Sequence, residues 1–238
     1  MIAVEELVYD FRLAFNKVER EDNQSVPIED IMSFLNRSQI FWIESRISFN
    51  NVLRKGYEET LKRIDDLQAL KVEFYPIQLS GITDSLYKGY TANLDSSMKY
   101  MKYISSYVKA KKDDCAAELV VDIIRQNDLS TMYFDTNFRP SFEWRKTIAT
   151  LGNNKLTVYT DGQFTPSTLY LTYLRYPKAI DIEGYVRVDG TGSVNQDCEL
   201  PYYAKSDLID LAVKFAAHST ENQLQSQLSE DRIQRNSE

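Results

Sequence analysis

The chain has 238 residues, 43% of them apolar and 26% charged, and 28 basic against 35 acidic side chains leave a net charge of −7. That length suits one large domain or two small ones with a real hydrophobic core. One histidine, His218, and two distant cysteines, Cys115 and Cys198, exclude a zinc site of close-spaced Cys/His pairs and a disulfide framework, so nothing points to secretion. The longest apolar run, Ile40 to Ile43, falls far short of the roughly 20 residues that span a bilayer. Met1 to Glu6 lacks the basic-then-apolar pattern of a signal peptide. The acidic balance argues against a general nucleic-acid coat.

The first twenty residues predict an amphipathic helix, because Val4, Leu7, Val8, Phe11, Phe15 and Val18 recur at helical spacing. A polar break, Glu19 to Gln24, follows. Ser25-Val26-Pro27, with Glu29 and Asp30 behind it, announces a second helix running to about Leu53. Its middle is apolar on several sides: Phe34, Leu35, Ile40, Phe41, Trp42, Ile43, Ile47 and Phe49. Such a helix is either central in its unit or covered by another chain. Gly56 interrupts, and Tyr57, Leu61 and Ile64 continue as a more charged third helix to about Leu70.

The texture then changes. Val72 to Leu79 alternates and contains Pro76, as an edge strand does. Tyr100 to Lys109 and Ala117 to Arg125 flank the charged turn Lys111-Lys-Asp-Asp114 and read as a hairpin, with two helices as the alternative. Lys155 to Tyr159 ends at Asp161-Gly162, Thr168 to Leu174 alternates strictly, and Tyr185 to Val188 ends at Asp189-Gly190. Short β-branched and aromatic runs bounded by turn residues predict antiparallel sheet. Beyond Pro201 a final helix is expected, with Ser206 as N-cap and Leu208, Leu211, Ala212, Phe215 and His218 as its stripe. From Ser219 the composition is polar, with Leu224, Leu228 and Ile233 isolated; such a tail is disordered alone or ordered by a partner. The expected class is α+β. Residues 1–70 and 203–220 form a helical part, 71–202 an inserted antiparallel β-rich domain, and 221–238 a polar C-terminal tail.

No catalytic signature stands out. Gly190-Thr-Gly192-Ser is the nearest approach to a phosphate loop, but it has no lysine and leads into no helix, so it reads as a turn. The acid pairs Asp65-Asp66, Asp113-Asp114 and Asp181 with Glu183 read as solvated faces, and a regular calcium-loop pattern is absent. His218 reads as a structural or surface residue, and Cys115 and Cys198 as small buried apolar groups. Lys109, Lys111 and Lys112 read as a solvated basic turn. Aromatic residues, Trp144 among them, recur from Tyr87 to Tyr185, and 16 tyrosines in one chain suit surfaces that meet other proteins as well as a sheet core.

Two stretches carry a resemblance. One runs Lys155-Leu-Thr-Val-Tyr-Thr-Asp-Gly and then Tyr170-Leu-Thr-Tyr-Leu-Arg-Tyr-Pro-Lys-Ala-Ile-Asp181. The other is Cys198-Glu-Leu-Pro201 leading into Leu208 to Ala217. Together they resemble the head–tail connector or ring proteins of short-tailed bacteriophages, most of all those of the crAss-like phages. The helical pair Val4–Val18 and Ile28–Leu53 fits the helical part of such adaptors.

The resemblance implies a virion structural protein without catalytic residues, cofactor or metal. Its subunits form a ring, commonly a dodecamer, between the portal protein and other tail or ring proteins. Phage DNA passes through the lumen without sequence-specific binding, and no membrane is involved. The place is the portal–tail junction of the virion, after assembly in the host cytoplasm. Phe41, Trp42 and Ile43 are then the expected subunit interface, and Leu224, Leu228 and Ile233 the docking tail. Two rivals remain: a β-rich module binding carbohydrate or peptide through exposed aromatics, and a hydrolase using Asp181 and Glu183.

Overall fold

The computed structural model describes residues 1–16, 26–47, 65–82, 86–187 and 190–219. Its elements are helices α1 (Val4–Asn16) and α2 (Ile28–Ile47), then strands β1 (Lys71–Gln78), β2 (Ser80–Ile82), β3 (Lys88–Asn93), β4 (Tyr100–Lys112) and β5 (Cys115–Ile123). Helix α3 (Leu129–Phe134), strands β6 (Lys146–Gly152), β7 (Lys155–Thr160) and β8 (Thr165–Arg175), and helix α4 (Lys205–Ser219) follow. The class is α+β. Two compact units divide the chain: Met1–Ala69 with Pro177–Glu238, and Leu70–Tyr176.

In the first unit α4 packs against both α1 and α2. Helix α1 buries Val4, Leu7, Val8, Phe11 and Phe15, the stripe its spacing predicts, and the expected Val18 lies outside the described residues. Its first turn is held from outside: the Val4 amide donates to Asp197 Oδ1 at 3.1 Å, and Ile2 pairs with Cys198 in an antiparallel bridge. Helix α2 buries one stripe, Ile31, Met32, Leu35, Ser38, Gln39, Trp42 and Ile43. Phe34 and Ile40 are half-buried and Phe41 is exposed, so the residues apolar on several sides do not make a helix enclosed on several sides. The expected extension to Leu53 and most of the expected third helix lie outside the described residues; residues 65–67 are helical and lead into a 3-10 turn, Gln68–Leu70.

Helix α4 starts at Lys205 after a 3-10 turn, Tyr202–Ala204, so Ser206 lies inside it and is not the N-cap. Its buried set includes Ile209, Val213, Ala216 and Ala217 beside Leu208, Leu211 and Ala212. Serving two neighbours widens the stripe, while Phe215 is half-buried and His218 exposed. Lys205 Nζ ties α4 to α1, reaching Asp10 Oδ2 at 2.5 Å and also Glu6 Oε1.

Segment 177–202 belongs with these helices, which moves the second boundary from the expected 202/203 to 176/177. The reason lies in the polar residues of α2. Asn36 clasps the backbone of Ile180 from both sides, donating to its carbonyl at 2.8 Å and accepting from its amide at 2.7 Å. Gln39 donates to the Lys178 carbonyl at 3.3 Å. Among the described residues the predicted strand at Tyr185 is represented by an isolated bridge between Val186 and Gly192, and Gly190 has φ +80°; Val188 and Asp189 lie outside the described residues.

The second unit is one eight-stranded sheet in the order β1-β8-β4-β5-β6-β7-β3-β2. Its two edges belong to one segment: β1 pairs with β8, β2 pairs with β3, and only Leu79 separates β1 from β2. The ladder therefore closes through the chain. Side chains alternate across each strand, and the inner set, including Val108, Leu119, Val121, Leu156, Val158, Leu169 and Leu171, forms one core. The predicted hairpin is β4 with β5, turning at Asp113. The sheet is mixed and not purely antiparallel, because β5 and β6 pair in parallel. A parallel pair needs a long crossover, and the segment carrying α3 supplies it. Asp161-Gly162 turns as expected: Gly162 has φ +81°, and a Cβ there would meet Lys88 Nζ at 2.5 Å.

Candidate interaction surfaces

Three surface features stand out. The first is the turn between α3 and β6. Ser141 and Lys146 pair across an antiparallel bridge, Ser141 N donating to Lys146 O at 2.9 Å and Lys146 N to Ser141 O at 3.2 Å. The Arg145 amide donates to Phe142 O at 3.2 Å, so Phe142 to Arg145 form a tight turn, with Arg145 in the left-handed region at φ 49°. Phe142 points inward against Phe164, at 6.1 Å between ring centroids. Trp144 points outward and is 80% exposed. Lys112 Nζ holds Glu143 Oε1 at 2.7 Å on the flank. A large aromatic is thus displayed on a turn fixed by backbone hydrogen bonds and an inward anchor. Nearby in sequence Phe134 and Phe138 are 64% and 54% exposed.

The second feature is a cleft in the helical unit. Glu29, Met32, Ser33 and Asn36 of α2 form one wall, and Ala179 to Asp181 with Tyr185 and Arg187 the other, around a volume of about 440 Å³. Met32 and Ile180 are buried at its floor. Asp181 is also buried, which contradicts its reading as a solvated acid. It accepts hydrogen bonds from the Tyr185 hydroxyl at 2.6 Å, the Ile182 amide at 3.0 Å, the Val194 amide at 3.2 Å and the Arg187 guanidinium. Burial alone would raise its pKa, but the bonds from Tyr185 and Arg187 outweigh burial and hold it below the usual aspartate value. Glu183 is exposed, so the two acids do not converge. Asp181 organises the loop, and its oxygens are engaged in doing so.

The third feature is a row of aromatics on the outside of β1, β8 and β4. Tyr107 and Tyr170 stack at 4.8 Å with 6° between their planes, Phe74 meets Tyr107 edge-on at 5.8 Å, and Lys109 Nζ lies 4.9 Å from the Tyr170 centroid. Phe74 reaches this position from a bulge in β1, where its φ is 52°, rare for a bulky residue. The tyrosine faces are taken up by each other and by Lys109.

The expected interface triplet separates. Trp42 is 2% exposed and Ile43 fully buried inside their own unit, and Trp42 Nε1 donates to Asp207 Oδ2 at 3.2 Å. A side chain covered by its own chain has no surface to offer a neighbour, which corrects the assignment of both. Phe41 alone is exposed, at 49%, and packs edge-on against Phe215 at 5.9 Å. Leu224, Leu228 and Ile233 lie outside the described residues. Cys198 is buried as expected, but Cys115 is exposed. Trp144 was legible only as one aromatic among many; the pair Phe142 and Trp144, two apart beside charged residues, is the signal of a turn with one ring in and one out.

Among the described residues no helix is long and apolar enough to cross a membrane, and no group of three or more His, Cys, Asp or Glu side chains is placed to hold a metal ion. In comparisons with known proteins, the chain matches no family model and no curated relative.

Proposed function

We propose that the chain is a structural assembly subunit and not an enzyme: a ring-forming adaptor of the kind that joins portal to tail in a short-tailed phage virion and continues the DNA conduit. The observation that carries the assembly role is the display of large aromatics on well-fixed backbone, above all Trp144 at 80% exposure on its closed turn. Tryptophan is one of the residues enriched among the anchors of protein interfaces. The buried acids, meanwhile, are engaged in folding. Asp181 holds its loop, Asp66 accepts from Arg46 at 3.0 Å and from the Tyr203 hydroxyl at 2.5 Å, and Glu199 accepts from the Lys178 amide at 3.0 Å.

The portal-adaptor form of the reading is supported by the resemblance through Tyr170–Asp181, Cys198–Pro201 and Leu208–Ala217. In that form the partners are further copies of the chain in a ring, a dodecamer by the resemblance, with the portal and other tail proteins. DNA passes through the lumen without being read, and a net charge of −7 suits a conduit that does not hold DNA. The test is the mass in solution, by light scattering and negative-stain microscopy, of the chain alone and mixed with a portal protein. Closed rings are expected. A chain that stays monomeric at every concentration, with or without portal, overturns the reading.

A further inference from the structure

A ring closes through a heterologous interface, in which two different surfaces of one chain meet on neighbouring copies. The described residues hold one projecting surface and one concave surface that complement each other. Resting on the reading of the chain as a ring subunit, we infer that Trp144 of one copy seats in the cleft beside α2 of the next copy, with Arg145 set against Glu29.

Shape is the first argument. The Trp144 turn is preorganised by the Ser141–Lys146 bridge, the Arg145-to-Phe142 hydrogen bond and the inward packing of Phe142. Little conformational freedom is left to lose when it docks. The cleft, at about 440 Å³, falls in the range of roughly 300–1,000 Å³ typical of pockets that take ring-sized groups. Its floor of Met32 and Ile180 is apolar, and Ser33 and Asn36 place polar groups on the α2 wall, within the same cleft that would receive the indole.

Charge is the second argument, and it selects the occupant. The turn bears exposed Arg139 and Arg145, while Glu143 is paired with Lys112. The α2 wall of the cleft bears exposed Glu29, and Asp30, its neighbour in sequence, and Glu183, on the loop that forms the other wall, are exposed acids as well. Arg187, the cation inside the cleft, is held by Asp181 and does not cancel these acids. A basic aromatic projection and an apolar cleft with an acidic wall on the same chain are the two halves a head-to-tail contact requires. That match favours a second copy over an unrelated partner.

The experiment compares self-association of the full chain by analytical ultracentrifugation, alone and with a portal protein. The variants are Trp144→Ala, Arg145→Glu and Glu29→Arg, together with an equimolar mixture of the last two. Both charged positions are exposed, and thermal melts confirm that each variant folds. Trp144→Ala is expected to weaken association by roughly 30-fold or more, the effect of losing an interface anchor. Arg145→Glu and Glu29→Arg are each expected to weaken it alone, by like-charge contact. Their mixture is expected to recover, because each variant's turn then faces the other's complementary cleft. Association that is unchanged in Trp144→Ala, or a mixture no better than its components, overturns the inference while leaving the ring reading intact. A wild-type chain that never associates, with or without portal, overturns both.

Discussion

Arg187 grips Asp181 across six residues of chain, donating from Nε at 3.1 Å and from Nη2 to the same carboxylate oxygen, Oδ2. The other oxygen, Oδ1, takes the Tyr185 hydroxyl and the Ile182 amide. This buried carboxylate fastens a loop that has almost no regular structure of its own, and that loop forms one wall of the cleft. Asp181→Ala leaves a hydroxyl, two amides and a guanidinium without their acceptor. The expected cost is on the order of 2–3 kcal/mol, read from urea denaturation followed by near-ultraviolet circular dichroism. Glu183→Ala, two residues on and exposed, is expected to stay within about 0.5 kcal/mol of wild type. Equal effects at the two positions would contradict the assignment of Asp181 as the anchor.

The two tryptophans occupy opposite environments, 2% exposed at Trp42 and 80% at Trp144. Trp42→Ala empties a core position and leaves Asp207 without its indole donor, at an expected cost of roughly 3–5 kcal/mol. Trp144→Ala removes no internal packing and is expected to leave the monomer's stability within about 0.5 kcal/mol. Fluorescence separates the two directly. With Trp42 replaced by Phe, the remaining emission is expected at long wavelength and open to acrylamide. With Trp144 replaced by Phe, it is expected at short wavelength and shielded. Identical quenching in the two variants would show that one of these placements is wrong.

Much of this arrangement could be read from local pattern. The stripe of α1, the edge character of the segment holding Pro76, the β4–β5 hairpin and the Asp161-Gly162 turn all follow from spacing or turn chemistry between near neighbours. What escaped depends on long-range partners. The parallel pairing of β5 with β6 is set by where the α3 crossover returns the chain, and no residue in either strand encodes it. Residues 177–202 look like more sheet by composition, yet Asn36 and Gln39, some 140 residues earlier, bind their backbone to α2. The burial of Trp42 and Ile43 escapes local pattern for a related reason. Apolar residues around the whole circumference of α2 do not say which are covered, and the choice fell to α4. Phe74 at φ 52° is the strongest departure from local preference, tolerated because the bulge carries its ring onto Tyr107.

The two thiols give a simple check on both units. Cys115 opens β5 and is exposed, while Cys198 is fully buried in the helical unit, where burial pushes its thiol up to about 11. Only the thiolate reacts with disulfide reagents. At pH 8 the native chain is expected to release one equivalent of thionitrobenzoate quickly, and the second only on denaturation. Cys115→Ser is expected to abolish the fast phase. A fast phase of two equivalents would mean that the Ile2–Cys198 bridge opens in the native state.

Alkaline stability follows from three tyrosines, Tyr100, Tyr185 and Tyr203, whose phenols are each pushed up to about 12. Desolvation of the hydroxyl is the largest cause in all three; Tyr203 is 57% exposed as a whole, but its hydroxyl reaches the buried Asp66, and bonds to Asp181 and Asp66 raise Tyr185 and Tyr203 further. The fold therefore favours the neutral phenol more than the unfolded chain does, where the ordinary value is 10.0. Below pH 10 both states keep these protons and the stabilisation is complete. As pH rises from 10 towards 12 the unfolded chain releases them first, and the stabilisation is progressively lost. Absorbance at 295 nm is expected to show these three phenols ionising above pH 10, together with unfolding. Tyr203→Phe is expected to cost about 1 kcal/mol at neutral pH, by removing the donor to Asp66, and to make the alkaline decline shallower. Ionisation of these three near pH 10 with near-ultraviolet dichroism intact would contradict the surroundings given to their hydroxyls.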